Sequence, residues 1–341
     1  MRKSSLILGT LIAAAIVLPA QAQKAGLPDA IKKLIPAAQK EKELMVWGST
    51  LNPRQTKAIN KSFNAFYGTS IEITHKGGRH GAKANEIARA FKNNIPSEVD
   101  IFWTAIPKTL TDAKMVVTVD WAGTFGLDKA LQMGKGGLQT HHSNSLLVTV
   151  NTGLAKPSDY PKKYEDLLSP KWKGKIAIPR SPFPWVLLSY AIGEDKSAAL
   201  LTKLLKTQNP KKYPRYHNVR AHVLSGEFAI GLGTDAFIQI KKGAPVAHPD
   251  MDIMVVNSSG AFIMVTSKSK NAAKLWGYWA VFKEGQATLH EQRGYSLVQT
   301  KGTDLNTYAM GRKLYKVPLA WRYKNQGRLL KKFSAIMKGA K

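Results

Sequence analysis

The sequence predicts an α/β fold built twice over, and three observations carry that prediction. Short apolar strands alternate with amphipathic helices, the alternation restarts after residue 150, and 341 residues with 44% hydrophobic content suffice for one large or two medium cores. Glu43 to Trp47 reads as the first strand. Asn52 suits an N-cap and Pro53 the first helical position, and Ile59, Phe63 and Phe66 then make an apolar stripe that Gly68 ends. Ser70 to Thr74 is the second strand. Gly77-Gly78 follows it and leads into a helix with Ala84, Ile87, Ala88 and Phe91 on one face; Pro96 stops that helix before the third strand, Val99 to Trp103.

Leu146 to Val150 is apolar throughout, as a fully buried strand should be, and the turn Asn151-Thr152-Gly153 marks the first crossing into a second part. That part holds a strand at Lys175 to Ile178, helices at Trp185 to Ile192, Ser197 to Leu205 and Val219 to Leu224, and a strand at Phe228 to Leu232. Two further strands, Asp252 to Val256 and Ala261 to Val265, are expected to flank an Asn257-Ser258-Ser259-Gly260 turn, where the chain returns to its first part. Leu275, Trp276, Trp279 and Phe282 then recur at helical spacing. No internal repeat has a fixed period.

Composition removes several function classes. With Cys 0 there is no disulfide framework, thiolate metal site or cysteine nucleophile. Arg2 and Lys3, the apolar run Leu6 to Leu18 and Ala20-Gln21-Ala22 together read as a secretory signal peptide cut after Ala22, which leaves 319 residues outside the cytoplasm and lowers the formal charge from +29 to +27. So basic a chain suggests an anionic ligand or partner. After Asp304 the tail has ten bases and no acid, a pattern that favours a solvated helix face with Leu329, Leu330 and Phe333 packed on the body over a surface for lipid or nucleic acid.

Several segments resemble a known family. Glu43-Leu44-Met45-Val46-Trp47-Gly48-Ser49 resembles the opening strand of bacterial extracellular solute-binding proteins of ABC importers, in the group that includes ferric-iron and thiamine binders. Tyr164-Glu165-Asp166-Leu167-Leu168-Ser169-Pro170-Lys171-Trp172-Lys173-Gly174-Lys175-Ile176 and Leu224-Ser225-Gly226-Glu227-Phe228-Ala229-Ile230-Gly231 are similar to signatures of that group, as are Ala272-Ala273-Lys274-Leu275-Trp276 and Glu284-Gly285-Gln286. The resemblance implies a two-lobed, type II periplasmic-binding-protein-like fold with a hinge between two α/β lobes and a solute held in the cleft. The expected division is a signal peptide at 1–22, one lobe from 23–145 plus 262–341, and the other from 146–261. The expected partners are a small-molecule solute and an ABC permease in the inner membrane, with no cofactor, metal or nucleic acid, and the chain is expected to be a monomer in the periplasm.

Loops at the carboxyl ends of strands are the natural binding positions of such sheets. They supply Ser49 and Thr50, Gly78 and Arg79, and Thr104 in the first part, then Ser181, Thr234 and Asp235; Asn144, just before the first crossing strand, and Ser258, in the segment between two strands, are further candidates. Arg79, in a glycine-rich loop that lacks phosphate-loop spacing, could form a bidentate pair with a carboxylate or phosphonate. Asp235 reads either as a partner for a cationic group or, preferably, as the N-cap of the next helix. Trp47, Trp103, Phe183 and Trp185 are candidate aromatic walls, with Trp185 held at the cleft edge by Pro182-Phe183-Pro184. The eight histidines offer no metal spacing: adjacent His141 and His142 point to opposite faces of an extended strand. Ferric binders of the family carry two consecutive tyrosines after the strand matching Phe228 to Leu232, where this chain has Thr234, Asp235, Ala236 and Phe237. The function expected is therefore capture of a small organic anion (carboxylate, phosphonate or phosphate ester) without catalysis. A ferric-iron or cationic-amine binder of the same fold is the alternative, and a secreted hydrolase or a basic envelope- or nucleic-acid-binding protein is the alternative of another class.

Overall fold

The structure, a computed structural model, describes residues 26–105, 108–143, 146–233 and 235–339. The signal-peptide reading of 1–22 lies outside the described residues.

Chain order begins with α1 (Asp29–Glu41), β1 (Glu43–Gly48), α2 (Pro53–Tyr67), β2 (Glu72–Gly77), α3 (His80–Lys92) and β3 (Ile101–Thr104). The β-α-β-α-β start thus forms as the apolar spacing requires. α2 opens on a full capping box, with Asn52 Oδ1 accepting from the Gln55 amide at 2.9 Å and Gln55 Oε1 accepting from the Asn52 amide at 3.1 Å. Gly68 ends the helix in the left-handed region at φ 65°. Short helices α4 (Lys108–Asp112) and α5 (Trp121–Phe125) lead to a hairpin, β4 (Gln132–Met133) and β5 (Gly137–Ser143).

The second part comprises β6 (Val148–Asn151), β7 (Ile176–Pro179), α6 (Phe183–Ile192), α7 (Glu194–Gln208), β8 (Lys211–Tyr213), α8 (Tyr216–Leu224), β9 (Ile230–Leu232), α9 (Phe237–Lys241) and β10 (Val246–Ala247). The chain then runs through β11 (Ile253–Ile263), α10 (Lys270–Val281), α11 (Lys283–Arg293), α12 (Asp304–Ala309), β12 (Lys313–Val317) and α13 (Leu319–Gly339). One sheet has the order β2-β1-β3-β11-β5-β4 with β12 beside β11, and the other has the order β10-β6-β9-β7-β8.

β11 corrects the expected turn at 257–260. It is one strand of 11 residues that pairs with β3, β5 and β12, with Asn257 opposite Ser143, Ser258 opposite His142 and Ser259 opposite His141. Small polar residues imitate a turn locally, but here neighbouring strands on both sides satisfy their backbone. A bulge falls between Ser259 and Gly260, and a Cβ at Gly260 would lie 2.2 Å from the Leu138 carbonyl oxygen, so only glycine fits that approach.

Separate cores lie against the two sheets. The first gathers Phe63, Tyr67, Trp103, Trp121, Trp276 and Trp279, and the second gathers Trp172, Trp185, Leu188, Leu201 and Leu204. α13 touches both parts of the molecule. Near its start, Leu319 and Tyr323 pack on a cluster with Phe102, Leu110 and Phe262, whereas Leu329, Phe333 and Met337 enter the second core.

Candidate functional site

A cavity of about 620 Å³ opens between the carboxyl ends of strands from both sheets. β1 and β3 bring Ser49, Trp103 and Thr104 to it; their close approach depends on Gly48, where a Cβ would stand 2.0 Å from the Trp103 carbonyl oxygen. The N-terminal turn of α3 adds His80 and Gly81, β5 adds His141 and Ser143, and β11 adds Asn257 and Ser259. From the second part come Phe183 and Tyr216, and from α13 Arg322, Tyr323 and Gln326. A side chamber of about 180 Å³ shares Ser143, Tyr216 and Tyr295 and extends to His142, Arg220, Asp235 and Phe237.

The floor of the main chamber is aromatic. His141 stacks on Tyr295 with ring centroids 4.4 Å apart and planes 2° from parallel, and the Trp103 ring stands edge-on to both. Burial, helped by His142 and Arg293, pushes the His141 pKa down to about 3, so this ring is uncharged at neutral pH. The Ser49 hydroxyl and the Tyr295 hydroxyl are hydrogen-bonded at 2.9 Å, and Arg293 Nη2 donates to the Tyr295 oxygen at 3.2 Å.

Positive charge enters from α13. Arg322 is only 8% exposed; its Nη1 donates to Asn257 Oδ1 at 2.9 Å, while Nε and Nη2 donate to Gln326 Oε1 at 3.0 and 2.8 Å. Its guanidinium also lies 5.3 Å from the centre of the Phe183 ring. All these partners are neutral, and burial draws the Arg322 pKa down to about 10. Among the described residues lining the main chamber there is no aspartate or glutamate. Lys108, at the rim, is already neutralised by Asp112, whose two oxygens each accept from Nζ at 2.7 Å.

Two helices also present uncapped N-termini to the chamber. The N-caps of α3 and α8, Arg79 and Arg215, make no side-chain capping bond, so first-turn N–H groups stay available near His80, Gly81 and Tyr216. A Cβ built on Gly81 would meet nothing within 4 Å. The Tyr216 hydroxyl, beside Ser181, is buried without a well-formed hydrogen bond, and burial pushes its pKa up to about 12.

Of the residues expected at the site, Ser49 and Thr104 line the main chamber and Asp235 the side chamber. Thr50 and Gly78 do not line either chamber; Gly78 backs onto Trp47. Arg79 is exposed at the N-cap of α3, one residue before His80. Ser181 accepts from the Phe183 amide at 3.3 Å, just ahead of Pro182, the N-cap of α6. Ser258 points away from Asn257 and Ser259 by strand alternation. Asn144 and Thr234 lie outside the described residues.

Two expectations are corrected. Trp185 is 2% exposed and belongs to the second core, because α6 begins at Phe183 and turns the tryptophan inward; Phe183 is the wall residue. Asp235 is not the N-cap of α9, a place taken by Ala236; its backbone oxygen instead accepts from Arg220 Nη1 at 2.9 Å. The paired histidines do face apart: His141 lines the main chamber, whereas His142 lines the side chamber and its Nδ1 accepts from the Val298 amide at 3.0 Å. Among the described residues no group of three histidine, aspartate or glutamate side chains could hold a metal ion.

Sequence reasoning overlooked Arg322, Tyr216 and Tyr295. Asn257 and Ser259 did leave a trace, as members of the polar segment Asn257-Ser258-Ser259 between two apolar runs. Arg322 left none, being one of ten bases in the tail.

Residues 58–310 match a family described as bacterial extracellular solute-binding protein. Comparison with curated sequences returned no match. Similar solved structures include a ferric binding protein from Campylobacter jejuni, 19% identical, with a TM-score of 0.66 over 86% of this chain and 99% of that one. A Trichodesmium protein in complex with iron and citrate is 17% identical, with a TM-score of 0.63 over 86% of this chain and 99% of that one. The periplasmic binding protein AfuA from Actinobacillus pleuropneumoniae, with fructose-6-phosphate bound, is 17% identical, with a TM-score of 0.61 over 87% of this chain and 98% of that one. At such identities the likeness concerns the fold.

Proposed function

Since this chain belongs to the bacterial extracellular solute-binding proteins, we propose that it captures a small organic anion in the cavity between its two sheets and delivers it to an ABC permease. Arg322 carries the reading. A guanidinium only 8% exposed, with neutral partners alone, in a chamber whose described lining has no carboxylate, is a charge awaiting its counterion. Leaving such a charge buried and unpaired costs on the order of several kcal/mol, which an anionic ligand offsets.

The similar proteins hold or are named for ferric iron, iron with citrate, and fructose-6-phosphate. The residues here favour the anionic ligands over the metal. A bare cation would meet Arg322, with no acid among the described residues of the main chamber to receive it, and Tyr216 is held protonated by its burial. The lobes in this reading follow the two sheets, the first 22 residues direct export to the periplasm, and the protein acts by hinge closure around the solute without making or breaking bonds.

A thermal-shift screen of the mature chain tests the proposal, because a ligand that binds only the folded state raises its melting temperature by mass action. Organic phosphates, phosphonates or carboxylates should raise the midpoint, and ferric iron and amines should leave it unchanged. A shift by ferric iron or amines alone would overturn the anion assignment.

A further inference from the structure

Resting on the anion reading above, we propose that the group recognised is a dianionic phosphoryl group, a phosphate monoester or a phosphonate, clasped between the N-termini of α3 and α8 with Arg322 beside it. Those helices follow strands of different sheets, α3 after β2 and α8 after β8, and both start at the main chamber without a side-chain cap. The helix ends are not the sole indication. The buried Tyr216 hydroxyl has no well-formed bond of its own, and Arg322 keeps N–H groups beyond those given to Asn257 and Gln326.

Charge decides between phosphoryl and carboxylate. Each helix N-terminus acts as about half a positive charge, so the two with Arg322 present about +2, and Arg293 adds to this from behind Tyr295; a phosphate monoester, about −2 above its second pKa near 6, answers that excess better than a single negative charge. The other ionisable groups of the lining add little: Lys108 is held by Asp112, burial lowers the pKa values of His80 and His141, and Tyr216 is kept protonated. A monocarboxylate would leave roughly one charge uncompensated. Geometry points the same way. Donors reach the chamber from three elements, α3, α8 and α13, which suits three terminal oxygens better than the two of a planar carboxylate.

The test is isothermal titration of the mature chain with methylphosphonate against acetate, and glycerol 3-phosphate against glycerate. The phosphoryl member of each pair should bind at least about tenfold more tightly. In His80→Ala, which removes the half-buried histidine of the described lining, phosphoryl affinity should rise between pH 5 and pH 7 as the ligand loses its second proton. His80→Pro removes the first N–H of α3 at a position that tolerates proline, because Arg79 before it is already extended at φ −76°, ψ 103°. It should bind phosphoryl ligands several-fold more weakly than His80→Ala. Equal or tighter carboxylate binding, a flat pH profile, or equal affinities of His80→Pro and His80→Ala would overturn the proposal while leaving the anion reading intact. Binding of ferric iron with no response to any anion would remove the anion reading itself.

Discussion

Two arginines on α13 meet opposite fates. Arg328, at the surface, forms a two-pronged ion pair with Glu194, its Nη1 and Nη2 donating at 2.8 and 2.5 Å, and Lys332 joins the same carboxylate at 2.7 Å. The pair holds the Glu194 pKa down to about 2 and ties the helix to α7. Arg322, nearer the start of the helix, lies buried and meets only amide oxygens. Charge density along the tail does not separate the two; what separates them is whether a carboxylate stands opposite. Where one does, the arginine is structural, and where a cavity stands instead, the charge is the one we propose for a ligand.

The sharpest way to break this contrast is Arg322→Gln. Loss of a buried charged partner should weaken anion binding by about 2–4 kcal/mol, or roughly 30- to 1000-fold, with the unliganded melting temperature unchanged or higher because an uncompensated charge has gone. Titration calorimetry with a melting curve reads both quantities, and a large fall in unliganded stability with intact affinity would make Arg322 structural like Arg328.

A second test concerns charge that the floor of the site excludes. His75 is buried near Trp103 and Trp276 with neither ring nitrogen hydrogen-bonded, and burial together with Arg293 pushes its pKa down to about 3. A base whose folded pKa is depressed binds protons more readily when unfolded, so this group withdraws stability progressively as pH falls from about 6.5 towards its folded value. His75→Leu should therefore reduce the stability lost between pH 7.5 and pH 5 by about 1–2 kcal/mol, as measured by denaturant unfolding at both values. An unchanged difference would show that the ring charges in place.

The smallest effect is expected at the surface. Arg328→Ala should lower the melting temperature only slightly and leave anion affinity untouched, since exposed ion pairs contribute little. An affinity loss approaching that of Arg322→Gln would erase the distinction between the two arginines.

Much of this architecture was legible in the chain. The Asn52 to Gly68 helix with both its ends, the strands beginning at Glu43 and Val99, and the buried stripe Leu275, Trp276 and Trp279 follow from periodicity and capping. Ser49 and Thr104, expected from the rule that sheets bind ligands at strand ends, line the main chamber. Trp185 was misplaced because the rigid Pro-Phe-Pro segment indicates where a helix begins but not which side faces the core. Asn257 and Ser259 were read as a turn because their polarity is local and the strands that pair with this segment come from Gly137–Ser143 and Lys313–Val317, far away in sequence.

By itself, the sequence determined the alternating α/β elements, the family and the absence of cysteine chemistry, because each rests on residue type or on hydrogen bonds and spacings within a few residues. Only the tertiary structure decided which of the tail's basic residues enters the cleft and that its described main-chamber lining has no acid. Burial and counterion pairing depend on neighbours brought together by folding; at Arg322 those are Asn257 from β11, Phe183 from α6 and Gln326 from its own helix.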